Sequence, residues 1–432
     1  MKHHIVVVGL GYIGLPTALV FASKGFHVVG VDVDQRKVDM LKRGKCYLRE
    51  KDVITLLEKV IVEGSFTPTT EINSSIENVS SVIVCVPTPV VAGEVDLSFL
   101  ESVLHVISDN IKKGQLIIVE STIPPGTTVN FVKPILESSG LIAENDFYLA
   151  HVPERIAPGN SIKELLNLPR LVGGVGPKST RVALELYRKV NPYVIPCDSL
   201  TAELSKLAEN TFRDLNIAFA NLLAMICEHV GADAKKVIEL ANTHPRVNIL
   251  KPGPGVGGPC LTKDPYMLLK CGERVFGIKL IDVARKINEY MPIHTVALIE
   301  YALKKLNIPI SKAKITILGV TYKGGVNDTR SSPSEKIISE LIARGATVVT
   351  YDPYTKETFG TKRANSIEEA VKGADAVAIV TDHPEFMSLD LSLLSKLVRH
   401  RVLIDCRRLI DSEAARRHGF KYYGIGLGVV NE

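Results

Sequence analysis

No run of apolar residues in this 432-residue chain reaches the roughly 20 positions that a membrane-spanning helix needs, so an integral membrane protein is not expected. No CxxC pair and no Cys/His cluster occurs. The seven cysteines, an odd number, are scattered at positions 46, 85, 197, 227, 260, 271 and 406, which argues against a disulfide framework or a metal centre. No block of Lys or Arg stands out and the net charge is only +5. Nucleic acid is therefore not an expected partner, although a few basic residues suffice for one anionic ligand. No basic segment with an apolar one behind it precedes the first β-like run, "HHIVVVGLG", and the expected location is the cytoplasm. Low-complexity segments and short-period repeats are missing too.

What is present points to an α/β protein. At 46% apolar and 23% charged residues the chain has the balance of a water-soluble globular protein, and it is too long for a single core, so two or three domains are expected. Over residues 1–195 the runs "HIVVVG", "HVVGVDV", "SVIVCV", "QLIIVE", "FYLAHV" and "RLVGG" read as strands, rich in Val and Ile as strands buried on both faces should be. Helical patterns such as 97–111 separate them. From about 198 a long helix follows, with Leu204, Leu207, Ala208, Leu215, Ala218, Phe219, Leu222 and Ile226 as an apolar stripe, and Gly231 as its stop. A second long helical run covers roughly 276–306. From about 312 a second α/β pattern begins: "AKITILGV", "ATVVTYDP", "ADAVAIVTD" and "RVLIDCR" as strands, with a helix at 333–344. The expected fold is two Rossmann-like, doubly wound parallel-sheet domains, 1–195 and 307–432, joined by a central helical region, 196–306, that also suits a dimer interface.

"VVVGLGYIGLPTALVFASKG" holds Gly9, Gly11 and Gly14 in GxGxxG spacing between a strand and a helix. Gly9 permits the turn, Gly11 lets the backbone approach a pyrophosphate, and Gly14 lets helix and strand pack closely. The phosphate would sit at the helix N-terminus. Asp32 ends the second strand where an acid accepts ribose hydroxyls and repels a 2′-phosphate, which favours NAD over NADP; Lys37 stands near enough to reach the adenosine end. Thr88, Ser121, Thr122, Glu154 and Arg155 follow three successive strands, where ligands bind in such sheets.

The stretch "PGPGVGGPCLTKDP" at 252–265 is composed as a loop. Asp264-Pro265 is a good helix start, so Asp264 has a structural reading as a cap. Cys260 lies just before that helix with Lys263 close by, a setting that favours thiolate. On the long helix Glu203, Lys206, Asn210 and Arg213 share a face. On spacing alone that face reads as solvated; the other reading is a lysine and an amide aimed into a crevice. A third cluster, "GVTYKGGVNDTR", sets Tyr322, Lys323 and Arg330 in a loop after a strand, either a flexible basic loop or an anion clamp, and Arg246 is a further candidate cation.

Six of these segments, in order and over nearly the whole chain, resemble the UDP-glucose/GDP-mannose dehydrogenase family: "GLGYIG", "STIPPGT" at 121–127, Pro153-Glu154, "ELSKLAEN" at 203–210, "GVGGPCLTKD" at 255–264, and the loop with Lys323, Asp328 and Arg330. The resemblance implies an NAD-dependent, four-electron oxidation of a nucleotide sugar at C6, from alcohol to acid. It makes Cys260 the nucleophile of a thiohemiacetal and thioester, Lys206 and Asn210 the groups at the developing oxyanion, and Asp264, Thr122 and Glu154 the groups that handle protons or water. It implies cofactor contacts from Gly9, Gly11, Tyr12, Ile13, Gly14, Asp32, Lys37, Thr88, Thr122 and Arg330. Substrate contacts would come from Arg155, Ile156, Lys206, Asn210, Arg213, His244, Arg246, Gly257, Tyr322, Lys323 and Arg407.

"PERIAPGN" and "RVNILKPGPGVGGPC" look like the branch acting on UDP-N-acetylhexosamines, UDP-N-acetyl-D-mannosamine first; UDP-glucose and UDP-N-acetylglucosamine are alternatives. Pro158 stands where the glucose branch often has a second Glu, and Pro259 where this branch often has His. The family is usually dimeric, so a homodimer or higher homo-oligomer is expected. Two rival readings are a two-electron dehydrogenase of a small hydroxy acid and a non-enzymatic nucleotide sensor.

Overall fold

The computed structural model describes residues 4–91 and 93–428. The chain forms two compact units: Met1–Glu209 with Tyr266–Glu273, and Asn210–Pro265 with Arg274–Glu432.

The first unit is built on an eight-stranded sheet: β1 (His4–Val8), β2 (His27–Val31), β3 (Phe66–Thr69), β4 (Ser81–Val84), β5 (Leu116–Val119), β6 (Tyr148–His151), β7 (Arg170–Gly174) and β8 (Val194–Asp198). Their spatial order is β8-β7-β6-β5-β4-β1-β2-β3. Every pair is parallel except β6 with β7, which run antiparallel. Ile5 and Val7 enter the core on one face of the sheet, and Val6 and Val8 enter the core on the other. That is why β1 is an unbroken apolar run rather than an alternating one. The outermost strands, β3 and β8, each contain a proline, Pro68 and Pro196. Proline is tolerated there because one edge of the strand needs no donor, and for the same reason neither segment reads as a strand in the sequence.

The second unit holds a six-stranded, wholly parallel sheet: β9 (Lys314–Leu318), β10 (Thr347–Tyr351), β11 (Lys362–Arg363), β12 (Ala376–Ile379), β13 (Val402–Asp405) and β14 (Lys421–Gly424), in the order β11-β10-β9-β12-β13-β14. Both sheets thus carry the 3-2-1-4-5-6 order, whose first-to-fourth strand boundary is the ligand crevice of doubly wound folds. A helix over Lys279–Lys304 packs on the second sheet and tolerates Pro292 in its interior.

The long helix, Ser199–Val230, turns inward most of the charged face that spacing alone reads as solvated. Of the apolar stripe, Leu207 and Ala218 are buried, but Leu204, Ala208, Phe219, Leu222 and Ile226 are exposed, and Phe212 joins them. The buried face carries polar residues, Glu203, Lys206, Asn210, Asp214 and Asn221, beside small apolar ones such as Ala202, Ala220 and Ala224. Polar side chains accept burial when partners meet them, and each of these has one (described below).

Candidate active site

In the first unit the glycine turn is built as its spacing suggests. Gly9 has φ +90°, and its N–H donates to the Val31 carbonyl at 2.8 Å. A Cβ on Gly14 would lie 1.8 Å from the Gly9 oxygen and 3.1 Å from the Cys85 Cβ, so only glycine lets the helix Gly14–Ser23 start this close to the sheet. A Cβ on Gly11 would meet nothing within 4 Å, so the turn is open there. Tyr12 and Ile13 flank it, both half-buried. Asp32 accepts from the Leu10 N–H at 3.0 Å and the Asp34 N–H at 2.9 Å. Lys37 Nζ lies 3.4 Å from the Asp32 carboxylate, so it pairs with the acid rather than reaching past it.

Three strand ends line the same unit. Thr88 Oγ1 donates to the Thr122 carbonyl at 2.6 Å, and Ser121 Oγ to that of Val86 at 2.7 Å, so these loops brace one another. The buried carboxylate of Glu203 accepts from the Gly126 and Thr128 N–H groups, the latter at 2.8 Å, and from the Thr128 hydroxyl. Burial pushes the Glu203 carboxyl up, against those hydrogen bonds. Lys206 Nζ meets Glu154 Oε1 at 3.1 Å with both side chains buried, and Glu154 Oε2 accepts from the Ile156 N–H at 2.9 Å. Arg155 is engaged by Glu209 at 2.7 Å, and Ile156 packs against the core.

A buried cluster below this site was not anticipated. Glu120 accepts from Thr17 (3.1 Å), Tyr187 (2.6 Å), Arg170 and the Cys85 thiol (3.5 Å). It ties the helix after the glycine turn to the sheet, and its signal was an acid ending the apolar run "QLIIVE". Burial, then Glu120, raises the Cys85 thiol well above its ordinary range.

In the second unit the loop carrying Cys260 hangs from the polar face of the long helix. Asn210 Nδ2 donates to Asp264 Oδ2 at 2.6 Å. Asp214 accepts from Arg285 Nη1 at 2.7 Å, and Arg285 also donates to the Leu261 carbonyl at 3.2 Å. Asn221 accepts from the Gly253 N–H at 2.9 Å. The N–H groups of Lys263 and Asp264 donate to the Cys260 carbonyl at 3.0 and 2.8 Å. Asp264, fully buried, begins the helix Asp264–Cys271 and lies 3.7 Å from Lys263 Nζ. Cys260 is a half-buried thiol outside any disulfide. The other six are all raised by burial, Cys406 to about 12. Asp214 and Arg285 escaped notice because their only sequence signal was charge on a helix.

The glycines of this loop abut protein. A Cβ on Gly253 would lie 2.7 Å from an Arg407 guanidinium nitrogen, one on Gly255 3.1 Å from Pro333, one on Gly257 2.6 Å from Tyr322 Cβ, and one on Gly258 2.7 Å from the Tyr322 ring. The structure thus brings Gly257, Tyr322 and Arg407 to the thiol loop. Arg330 donates to Asp328 at 2.6 Å, and Lys323 is exposed beside Tyr322. Arg213, His244 and Arg246 are exposed; the helix face continues from Asn210 to Asp214, four residues on, and leaves Arg213 outside it. No group of three or more His, Cys, Asp or Glu among the described residues could hold a metal ion.

A parallel sheet of this order, a glycine turn leading into a helix, and an acid closing the second strand define the first unit as an NAD-binding domain of a dehydrogenase. Residues 3–191 match the NAD binding domain of the UDP-glucose/GDP-mannose dehydrogenase family, 200–290 its central domain and 316–412 its UDP binding domain. The chain belongs to that family. It is 43% identical to UDP-N-acetyl-D-mannosamine dehydrogenase of Pyrococcus horikoshii, over 99% of this chain and 100% of that one, and 41% identical to the Methanocaldococcus jannaschii protein of the same name, over 98% and 96%. The solved P. horikoshii structure superposes with a TM-score of 0.93 over 99% and 100% of the two chains. That of Cap5O from Staphylococcus aureus, a UDP-N-acetyl-mannosamine dehydrogenase 38% identical, has a TM-score of 0.86 over 98% of each.

Proposed function

We propose that this chain oxidises the C6 alcohol of a UDP-N-acetylhexosamine, UDP-N-acetyl-D-mannosamine first among them, to the carboxylate, with two NAD consumed per sugar and Cys260 as covalent nucleophile. One observation carries the reading: the thiol loop hangs from a buried polar helix face, with Asn210 bonded to Asp264 and Asp264 bonded through its backbone to Cys260. The names borne by the archaeal relatives support the choice of sugar.

Bound NAD supplies a hydride acceptor at each of the two oxidations. Gly11 makes room for its pyrophosphate beside Tyr12, Ile13 and Gly14, Asp32 takes its ribose hydroxyls, and Thr88 and Thr122 line the crevice. Lys206 stabilises negative charge on the C6 oxygen and passes the alcohol proton to Glu154, while Asn210 donates a hydrogen bond to the same oxygen. The Cys260 thiolate adds to the aldehyde carbon, and the second oxidation leaves a thioester. Asp264 orients the water that attacks it; the C–S bond breaks and the thiolate is regenerated. Tyr322, Lys323, Gly257 and Arg407 hold the nucleotide sugar.

Among the described residues no helix is long and apolar enough to cross a membrane, and we place the enzyme in the cytoplasm. The exposed stripe of Phe212, Phe219, Leu222 and Ile226 is a face for a second copy of the chain, making a homodimer. The test is turnover of a UDP-sugar panel with NADH counted per mole: two NADH and a preference for UDP-N-acetyl-D-mannosamine are expected. One NADH with a stable carbonyl product, or acid formation by Cys260→Ser, overturns the reading.

A further inference from the structure

The two sheets repeat one another at their first crevice, bond for bond. The Gly9 N–H donates to the Val31 carbonyl at 2.8 Å, and the Gly319 N–H to the Tyr351 carbonyl at 2.8 Å. Both glycines have positive φ, +90° and +91°. Asp32 accepts from the N–H groups of Leu10 and Asp34; Asp352 accepts from those of Val320 (2.8 Å) and Tyr354 (2.8 Å). Asp352 is thus the counterpart of the ribose acid. One thing differs. His383, fully buried, sets its Nε2 2.9 Å from Asp352 Oδ2.

Asp352 also accepts from the N–H groups of Thr321 (3.3 Å) and Thr355 (3.2 Å), so the imidazole is not needed merely to satisfy its carboxylate. The other ring nitrogen shows what His383 is for. Nδ1 accepts from the Gly325 N–H at 3.1 Å, which fixes the neutral tautomer with its proton on Nε2. Nε2 also lies 3.1 Å from Thr321 Oγ1, which donates to the Lys323 carbonyl at 3.1 Å. The Tyr354 ring stacks on the imidazole at 4.8 Å and Phe386 meets it edge-on at 5.3 Å, so the ring has little room to turn. His383 therefore holds both ends of the turn 321–325. Between those ends sits Tyr322, whose ring covers Gly258, and the Gly258 N–H donates to the Arg330 carbonyl at 3.0 Å. Gly258 is two residues from Cys260.

We infer that His383 is a positioning residue for the thiol: it fixes the turn that presses Tyr322 onto the glycine loop and thereby sets where Cys260 stands. The inference rests on Cys260 being the nucleophile, which Cys260→Ser tests separately. A nucleophile displaced by a fraction of an ångström loses rate far more than binding.

Two substitutions divide the imidazole's bonds. His383→Asn keeps an acceptor near the Nδ1 position for Gly325 and loses the reach to Asp352. His383→Gln keeps a donor for Asp352 and loses Gly325. His383→Gln is expected to lower kcat about tenfold with KM for NAD within twofold, to speed iodoacetamide alkylation of Cys260 at least threefold, and to raise deuterium uptake in residues 252–262. His383→Asn is expected to keep kcat within threefold. Thr321→Val, an isosteric change, should move the same readouts in the direction of His383→Gln and by less. Equal kcat loss in the Asn and Gln variants, in proportion to their loss of melting temperature, overturns the inference. So does Cys260 alkylation at the wild-type rate in both His383→Gln and Thr321→Val.

Discussion

Asn210 Nδ2 lies 2.6 Å from Asp264 Oδ2, joining two buried residues 54 positions apart in sequence. The bond fixes the start of the helix Asp264–Cys271 to the long helix, and Cys260 is held to that start by its own carbonyl. Asn210→Ala removes the donor from a carboxylate that cannot move into water. We expect a loss of about 1–3 kcal/mol in stability and a fall of roughly a hundredfold in NADH production. Urea melts and initial rates check the two; an unchanged rate with lowered stability would make Asn210 purely structural.

Stability and activity should separate at Lys206 and Glu154. The pair is buried at 3.1 Å. Lys206→Met leaves an uncompensated carboxylate inside, at about 3–5 kcal/mol. The double variant Lys206→Met, Glu154→Gln carries no charge there and should recover most of that stability while staying inactive. Denaturant midpoints of the single and double variants, read beside their turnover, test this.

His151 gives the first unit an acid limit. Burial, against a backbone hydrogen bond at Val119, holds the imidazole down at about 3. The unfolded chain binds that proton near pH 6.5. Because the folded value is the lower one, the contribution to stability is whole above about 6.5 and is lost as the pH falls toward 3. Between pH 7 and 5 the loss is about 2 kcal/mol. His151→Phe should show a smaller fall in melting temperature over that interval; an equal fall in both proteins would refute it.

Phe219→Asp tests the second-copy face. Phe219 is exposed on the long helix with Phe212, Leu222 and Ile226. The wild type is expected to run as a dimer in light scattering and the variant as a monomer with an unchanged circular dichroism spectrum. A monomeric wild type sinks the proposal.

The sequence was most legible where local rules suffice. Gly9, Gly14 and Asp32 sit as their spacing implies, because a glycine turn between strand and helix has few solutions. It misled at the long helix, where periodicity reports a contrast between two faces and not which one is covered: the Glu203, Lys206 and Asn210 face is inside. Glu120, Asp214 and His383 were illegible because their partners, Arg170, Arg285 and Gly325, come from distant segments. The strands with Pro68 and Pro196 hid behind a residue that disfavours strands everywhere except at an edge.

The crowding around Gly253, Gly255, Gly257 and Gly258 has a consequence for anyone wishing to retune the enzyme. These glycines look like free space in which to carve a new sugar pocket, but Arg407, Pro333 and Tyr322 already fill it. A larger residue at Gly257 or Gly258 would push the thiol before it met any sugar. On the proposed function, altered selectivity is better sought at the exposed Lys323, where the side chain has room to change length.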